Sequence, residues 1–235
     1  MSTVVITCQT IKREVCLAIS ETGVDYPLIL IDSGLHNYPD KLREAIQKQI
    51  DRIANVDTIL MAFGFCGNGL LGIKSPGARL VIPRADDCIT LLLGSLEARK
   101  KISKEAGTYF LTKGWLDYEA NLLTEYENCV KKYGREKALR VMKIMLGHYQ
   151  RLMVIDTKAY RLEDVVKVTR AFAETVGMRH EEVAGSLRLF KKLLLGPWDE
   201  EFIIVEPGRE LRFEQMCLGG NEQLAGGRVL SGLDT

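Results

Sequence analysis

"DTILMAFGFCGNGLLG", residues 57–72, decides how this chain is read. Its first half, 57–63, is a short apolar run. Its second half crowds Gly64, Gly67, Gly69 and Gly72 around Cys66 and Asn68. A continuous apolar run closed by turn residues is the pattern of a strand covered on both faces. The glycines permit positive φ and close backbone approach, so the chain turns sharply after the strand and leaves room beside the thiol.

Working outward, the same kind of run recurs. "TVVIT" (3–7), "YPLILID" (26–32), "ARLVIP" (78–83), "GTYFLT" (107–112), "RLMVID" (151–156) and "EFIIVEPG" (201–208) read as strands. Helical stretches separate them. Residues 10–20 form one, and Pro39 opens a second through Ile53, with Leu42, Ile46, Ile50 and Ile53 on one face. Residues 87–105 form a third. A long helical pattern runs from Asp117 to Gly147 with a break at Gly134. Residues 161–176 form another helix, its apolar side supplied by Leu162, Val165, Val166, Val168, Thr169 and Phe172, and "LRLFKKLLLG" a last one. This alternation predicts an α/β fold: a layered, mainly parallel sheet with helices on both faces, Rossmann-like. One domain is expected over 1–215, followed by a Gly-rich, loosely ordered tail over 216–235.

The 235 residues are 46% hydrophobic and 27% charged, with net charge +1. That balance describes an ordinary globule and supplies no global field toward nucleic acid or an anionic membrane. The expected partner is a small-molecule substrate, with no nucleic acid and no membrane. No apolar run approaches the roughly 20 residues that cross a bilayer. The start, "MSTVVITCQT", lacks a basic leader and apolar core, so a cytoplasmic location is expected. In such a reducing compartment, six cysteines read as packing, metal ligands or catalysis rather than a disulfide framework. The charge runs Arg99-Lys100-Lys101 and Lys131-Lys132 read as solvated helix faces.

In open α/β sheets ligands bind beyond the carboxyl ends of the strands, and the unusual residues of this chain all follow strands. Cys8 directly follows 3–7, Cys66 follows 57–63, and Cys88 lies in "PRADDC" after 78–83. With those strands adjacent and parallel, about 4.8 Å apart, three thiols gather at one edge. No C-x-x-C pair is present, so the metal signal rests on placement, and packing as a small hydrophobe is the competing role. The loop itself is either an anion-binding nest or a tight turn, being neither G-x-G-x-x-G nor a P-loop. Arg84 is suited to a carboxylate or phosphate. Asp86 and Asp87 suit a cation, a base or a helix cap, and a cap at Asp87 would make Cys88 a better thiolate. His36 in "SGLHNYPD" follows a strand and faces the same edge, or serves as an ordinary hydrogen-bonding residue. Trp115 in "TKGW" walls a cofactor pocket or packs. Cys16 and Cys129 fall in helical stretches and Cys217 near the tail.

At "CGNG", "PRADDCITLLLGS" and "GTYFLTKGW", together with "GLHNYPDKLREAIQKQID" and "GSLRLFKKLLLG", the sequence resembles the domain-of-unknown-function family numbered sixteen thirty-eight. The resemblance spans residues 3 to 210. It implies a setting in anaerobic bacteria and methanogenic archaea, beside corrinoid-dependent methyltransferase systems. It also implies family cysteines at Cys8, Cys66 and Cys88 and a family histidine at His36. Where relatives carry His-Asp-Cys, this chain has Asp86-Asp87-Cys88, so a histidine role does not carry over to position 86. The family supplies no established reaction.

Three functions follow as expectations. In the first, Cys8, Cys66 and Cys88 hold an iron–sulfur cluster or zinc, with His36, Arg84, Asp86 and Asp87 as catalytic groups and Gly64, Gly67, Asn68, Gly69 and Trp115 around a cofactor. Anaerobic one-carbon and methyl-transfer metabolism is its setting. In the second, the chain is an accessory or methyltransferase of a corrinoid system, its corrinoid supplied by a partner protein, because no D-x-H-x-x-G run is present. In the third, it is a non-enzymatic module that binds another protein.

Overall fold

The structure, a computed structural model, describes residues 2–118 and 120–217. Strand β1 (Thr3–Cys8) runs through a one-turn 3-10 segment into α1 (Lys12–Thr22), which ends at Gly23 in the left-handed conformation. Next come β2 (Leu28–Ile31), the 3-10 turn Ser33–Asn37, α2 (Pro39–Ile50), β3 (Thr58–Ala62) and β4 (Arg79–Pro83). Pro39 at the first position of α2 is pre-set for the helix, and Leu42, Ile46 and Ile50 are its buried stripe.

The strands β1 to β4 are parallel neighbours in the order β2-β1-β3-β4. The chain steps from β1 to β2 in one direction, then back across β1 to β3. Right-handed crossovers in opposite directions put α1 and α2 on opposite faces of the sheet. Between β1 and β3 the strand order reverses, and the crevice at that point is where open α/β sheets receive ligands. Val5, Ile6, Leu60, Met61, Leu80 and Val81 are wholly buried. Each such aliphatic side chain contributes roughly 1.5–3 kcal/mol by leaving water.

After β4 come α3 (Cys88–Leu93) and α4 (Leu96–Glu105). The expected single helix over 87–105 is thus two, because Gly94 turns left-handed at φ 82° and Ser95 starts a new helix by accepting from the Ala98 amide. Then β5 (Thr108–Leu111), α5 (Lys113–Leu116), α6 (Leu122–Tyr133), α7 (Arg135–Met145), β6 (Arg151–Asp156), α8 (Leu162–Val176) and β7 (Arg179–Ala184) build a second parallel sheet, β5-β6-β7. The chain returns through α9 (Arg188–Leu195) to β8 (Phe202–Val205), which joins the first sheet antiparallel to β4, and ends in α10 (Phe213–Met216).

The second sheet is docked on the first. On β6, Met153 and Ile155 belong to the core of the five-stranded sheet, while Leu152 and Val154 belong to a second core with Val165, Phe172 and Ala173 of α8. The period of two along a strand thus places one face toward each core. Trp115 packs against both cores. Met216, the first residue of the expected tail, is buried, and residues 218–235 of that tail lie outside the described residues. Among the described residues no helix is long and apolar enough to cross a membrane.

Candidate functional site

Four side chains meet at the carboxyl ends of four adjacent strands. His36 comes from the turn after β2, Cys8 ends β1, Cys66 follows β3, and Cys88 opens the helix after β4. In sheet order they read His36, Cys8, Cys66, Cys88, and Cys8 and Cys66 flank the crevice where the strand order reverses. Cys8 Sγ and His36 Nε2 are 2.8 Å apart. Cys66 lies near enough to His36 and to Cys88 for each pair to shift the other's titration. Thr10, which the sequence reading passed over, completes the set. Its hydroxyl lies 3.1 Å from Cys8 Sγ, and its amide donates to that sulfur at 3.4 Å. All six cysteines are free, with Cys16 and Cys217 exposed.

The turn that presents Cys66 is strained. Cys66, Gly67 and Asn68 have φ of 45°, 66° and 69°, a run of three left-handed residues of which two carry side chains. Such a run costs free energy and persists only where its surroundings over-determine it. Here the Phe65 and Cys66 amides donate to the carbonyls of Ala85 and Asp86 at 2.8 and 3.0 Å. Gly64 is required for that contact, since a Cβ would stand 2.3 Å from the Asp87 carbonyl carbon. At Gly69 a Cβ would stand 2.8 Å from Leu42 Cδ2. These two glycines therefore let the loop pack against its neighbours, while Gly67 and Asn68 line a small cavity of about 240 Å³ beside Phe213 and Met216.

Charge is distributed unevenly among the four groups. Burial alone would push the His36 imidazole down, but its hydrogen bonds to Cys66 and Cys8 outweigh that and carry it up to about 10. The hydrogen bond with Cys88, against the burial of the group and together with the bond to His36, takes the Cys66 thiol down to about 5. The neighbouring Cys66 sulfur and then burial push Cys88 up. These directions favour a Cys66 thiolate beside a protonated imidazole, with Cys88 as the neutral thiol. Such a sulfur is a ready nucleophile or metal ligand.

The other expected site residues lie farther out. Asp87 accepts from the Thr90 amide at 2.9 Å and caps α3, and it pairs with Arg99 at 3.4 Å. Asp86 is exposed at the rim of the small cavity, where burial and then the Asp87 charge push its carboxyl up. Arg84 donates to the Gln215 carbonyl at 2.5 Å and so ties α10 to the sheet edge. Among the described residues no group of three or more His, Cys, Asp or Glu stands in an arrangement that holds a metal ion. Cys8 and His36 bond to each other instead. Three thiols and an imidazole are nonetheless the soft donor set that zinc and iron–sulfur centres use.

A family model described as "Protein of unknown function (DUF1638)" matches residues 30–194. That span takes in His36, Cys66 and Cys88 and begins after Cys8. No curated protein and no solved structure matches the chain.

Proposed function

The chain belongs to that family of proteins of unknown function, and from its site we propose that it is an enzyme with a thiolate-bound metal centre, formed by Cys8, Cys66 and Cys88 with His36 beside them. The observation that carries this reading is the meeting of four soft donors, one from each of four neighbouring strands, at the crevice where the strand order reverses. Packing alone does not account for it. Buried cysteines used as small hydrophobes have no reason to share one imidazole.

The donor set suits zinc or an iron–sulfur cluster. Ligands spaced tetrahedrally about zinc stand roughly 3.5 Å or more apart, given bonds of about 2.1–2.3 Å. The 2.8 Å between Cys8 Sγ and His36 Nε2 is closer than that, so the ring of donors opens slightly when it takes up an ion. A bound metal would supply Lewis acidity and keep the thiolates deprotonated at neutral pH. The setting we assign is methyl transfer involving a thiolate, with any corrinoid brought by a partner protein and the substrate a small molecule.

Anaerobic purification followed by zinc, iron and acid-labile sulfide analysis tests this. We expect stoichiometric metal that falls in folded Cys8→Ser, Cys66→Ser and Cys88→Ser variants. A protein that takes up neither zinc nor iron, even after reconstitution, ends the proposal. The methyl-transfer setting is tested separately by the spectral change of methylcob(III)alamin on incubation with the metal-loaded protein.

One observation favours a second reading. Cys66 is half-buried rather than sealed, and it is held in a strained turn after a strand, the placement that exposes a catalytic nucleophile in other α/β enzymes. On that reading Cys66 acts directly and His36 is its acid–base partner. Selective alkylation of Cys66 by iodoacetamide in protein stripped of metal, with activity independent of metal, would favour it.

A further inference from the structure

Helices α6 and α7 fold back on each other at Gly134, which turns at φ 81°. They cover the face of the second sheet turned away from the first, where Met142 and Leu146 share a core with Leu152 and Val154 of β6. Their outer side is open. Of the ten large hydrophobic side chains exposed among the described residues, five fall between 133 and 149. Scattered singly such residues are ordinary, but a concentration of them marks a contact surface. One of the five, Tyr149, packs edge-on against Tyr109 with ring centres 5.2 Å apart. The other four are Ile144 at 80% exposure, Met145 at 50%, Tyr133 at 49% and Val141 at 37%. Val141, Ile144 and Met145 stand three and four residues apart and so share one stripe of α7, and Lys137, four residues before Val141, heads it. Beside the stripe lies a groove of about 380 Å³, walled by Cys129 and Tyr133 of α6 and by Met142 and Met145 of α7.

The charge around this groove has one sign. Inside it Glu125 and Lys132 offset each other. Around it, residues 128–149 carry six Lys and Arg against one carboxylate, Glu136, in a molecule whose net charge is only +1. Glu136 is taken up by Arg140 at 2.8 Å, the one ion pair on α6 or α7 among the described residues. Lys132 and Lys137 are therefore left without a carboxylate, one on each side of the groove. An apolar centre with a cationic border fits a partner that is apolar in the middle and acidic at its edges.

We propose that the groove between α6 and α7 docks an acidic amphipathic helix of another protein. Two packed helices offer a third the same ridges and grooves they offer each other, and α7, with 11 residues, gives a bed about 17 Å long, three helical turns. Apolar side chains of the incoming helix at i, i+3/i+4 and i+7 meet Tyr133, Val141, Ile144 and Met145, and its flanking Glu or Asp side chains meet Lys132 and Lys137. A second copy of this chain is disfavoured as the occupant, because a two-fold interface through this patch sets the lysines of both copies against each other. A nucleic acid is disfavoured because the centre of the patch is aliphatic, and phosphates seek cations and polar groups. The inference does not rest on the thiol centre.

The test titrates the full chain with a synthetic peptide of roughly five helical turns that carries Leu on one face and Glu beside it. The same peptide with Lys in place of Glu, and a short single-stranded RNA, are titrated in parallel. Binding is followed by fluorescence anisotropy and mapped by amide NMR. The acidic peptide should bind saturably, with shifts confined to α6 and α7, and should weaken as salt rises. Ile144→Ser, at a site too exposed to upset the fold, should weaken it about tenfold, the cost of one lost apolar anchor. Lys137→Glu should weaken it as well and should bring up the affinity of the Lys peptide. Lys48→Gln on α2 should change neither. No saturable binding up to about 1 mM peptide, the weak end of specific association, overturns the inference. So does equal or tighter binding of the Lys peptide, preference of these amides for RNA, or self-association of the chain that Ile144→Ser abolishes.

Discussion

Cys66 owes its character to its neighbours, and Gly64 and His36 each make a separable prediction. Gly64 sets the distance between the Cys66 turn and Cys88, because its missing Cβ is what lets the loop lie on the Asp87 backbone. Both sides of that contact are main chain, so Gly64→Ala has no side chain to push aside. It should cost about 1–3 kcal/mol in urea denaturation, as overpacking does, and slow oxidation of Cys66 and Cys88 to a disulfide. His36 acts through charge. The Cys88 hydrogen bond and then His36 hold Cys66 down at about 5. His36→Ala removes the second of these influences, so the pH midpoint for alkylation of Cys66 in metal-free protein should rise above the wild-type value. An unchanged midpoint would mean that Cys88 alone sets it. These relations were only partly legible in the sequence. Placement after strands, plus the glycine cluster, singled out Cys8, Cys66, Cys88 and His36. Thr10 gave no signal, because a threonine two residues after a strand resembles any helix start.

At the level of elements, Cys88 is presented by the N-terminus of α3, and that helix depends on Asp87. Its carboxylate accepts from both the amide and the hydroxyl of Thr90, at 2.9 and 3.1 Å. The helix has only six residues and no capacity to start unaided. Asp87→Ala should cost about 1 kcal/mol, the usual loss of a cap, read as a lower midpoint in thermal unfolding followed by circular dichroism. Asp87→Asn, which caps equally well, should restore most of it. The apolar runs at 57–63, 78–83 and 151–156 correspond to β3, β4 and β6 because strands covered on both faces leave no polar alternation to blur them. β7 was missed for the opposite reason. "RHEEVA" is an edge strand paired only with β6 and is largely open to solvent, so its composition is that of a loop. The division into two sheets was equally hidden, since β5 and β6 are as apolar as the strands of the first sheet. Nothing in one strand's composition names its neighbour.

Across the whole molecule, the two sheets are joined by more than apolar surface. Glu14, on α1 of the first sheet, accepts from the Thr157 hydroxyl at 2.8 Å just beyond β6 of the second. Arg13 reaches Asp117 across the same junction. Glu14 has no exposure to solvent and one oxygen without a partner, and burial outweighs the Thr157 bond in pushing its carboxyl up from 4.5. The groups that face it are Arg13 from its own helix and Thr157 and Tyr160 from the segment after β6; Asp156 lies in the same segment. A carboxyl raised on folding favours the folded state fully below the unfolded value of 4.5. That advantage is lost as pH rises from there through the folded value. The junction should therefore weaken between acid and neutral pH. Glu14→Gln keeps an acceptor for Thr157 and removes the titration. Its urea midpoint should match wild type near pH 4 and exceed it at pH 7. If the difference between the two proteins does not grow with pH, Glu14 is not the group that makes the junction pH-sensitive.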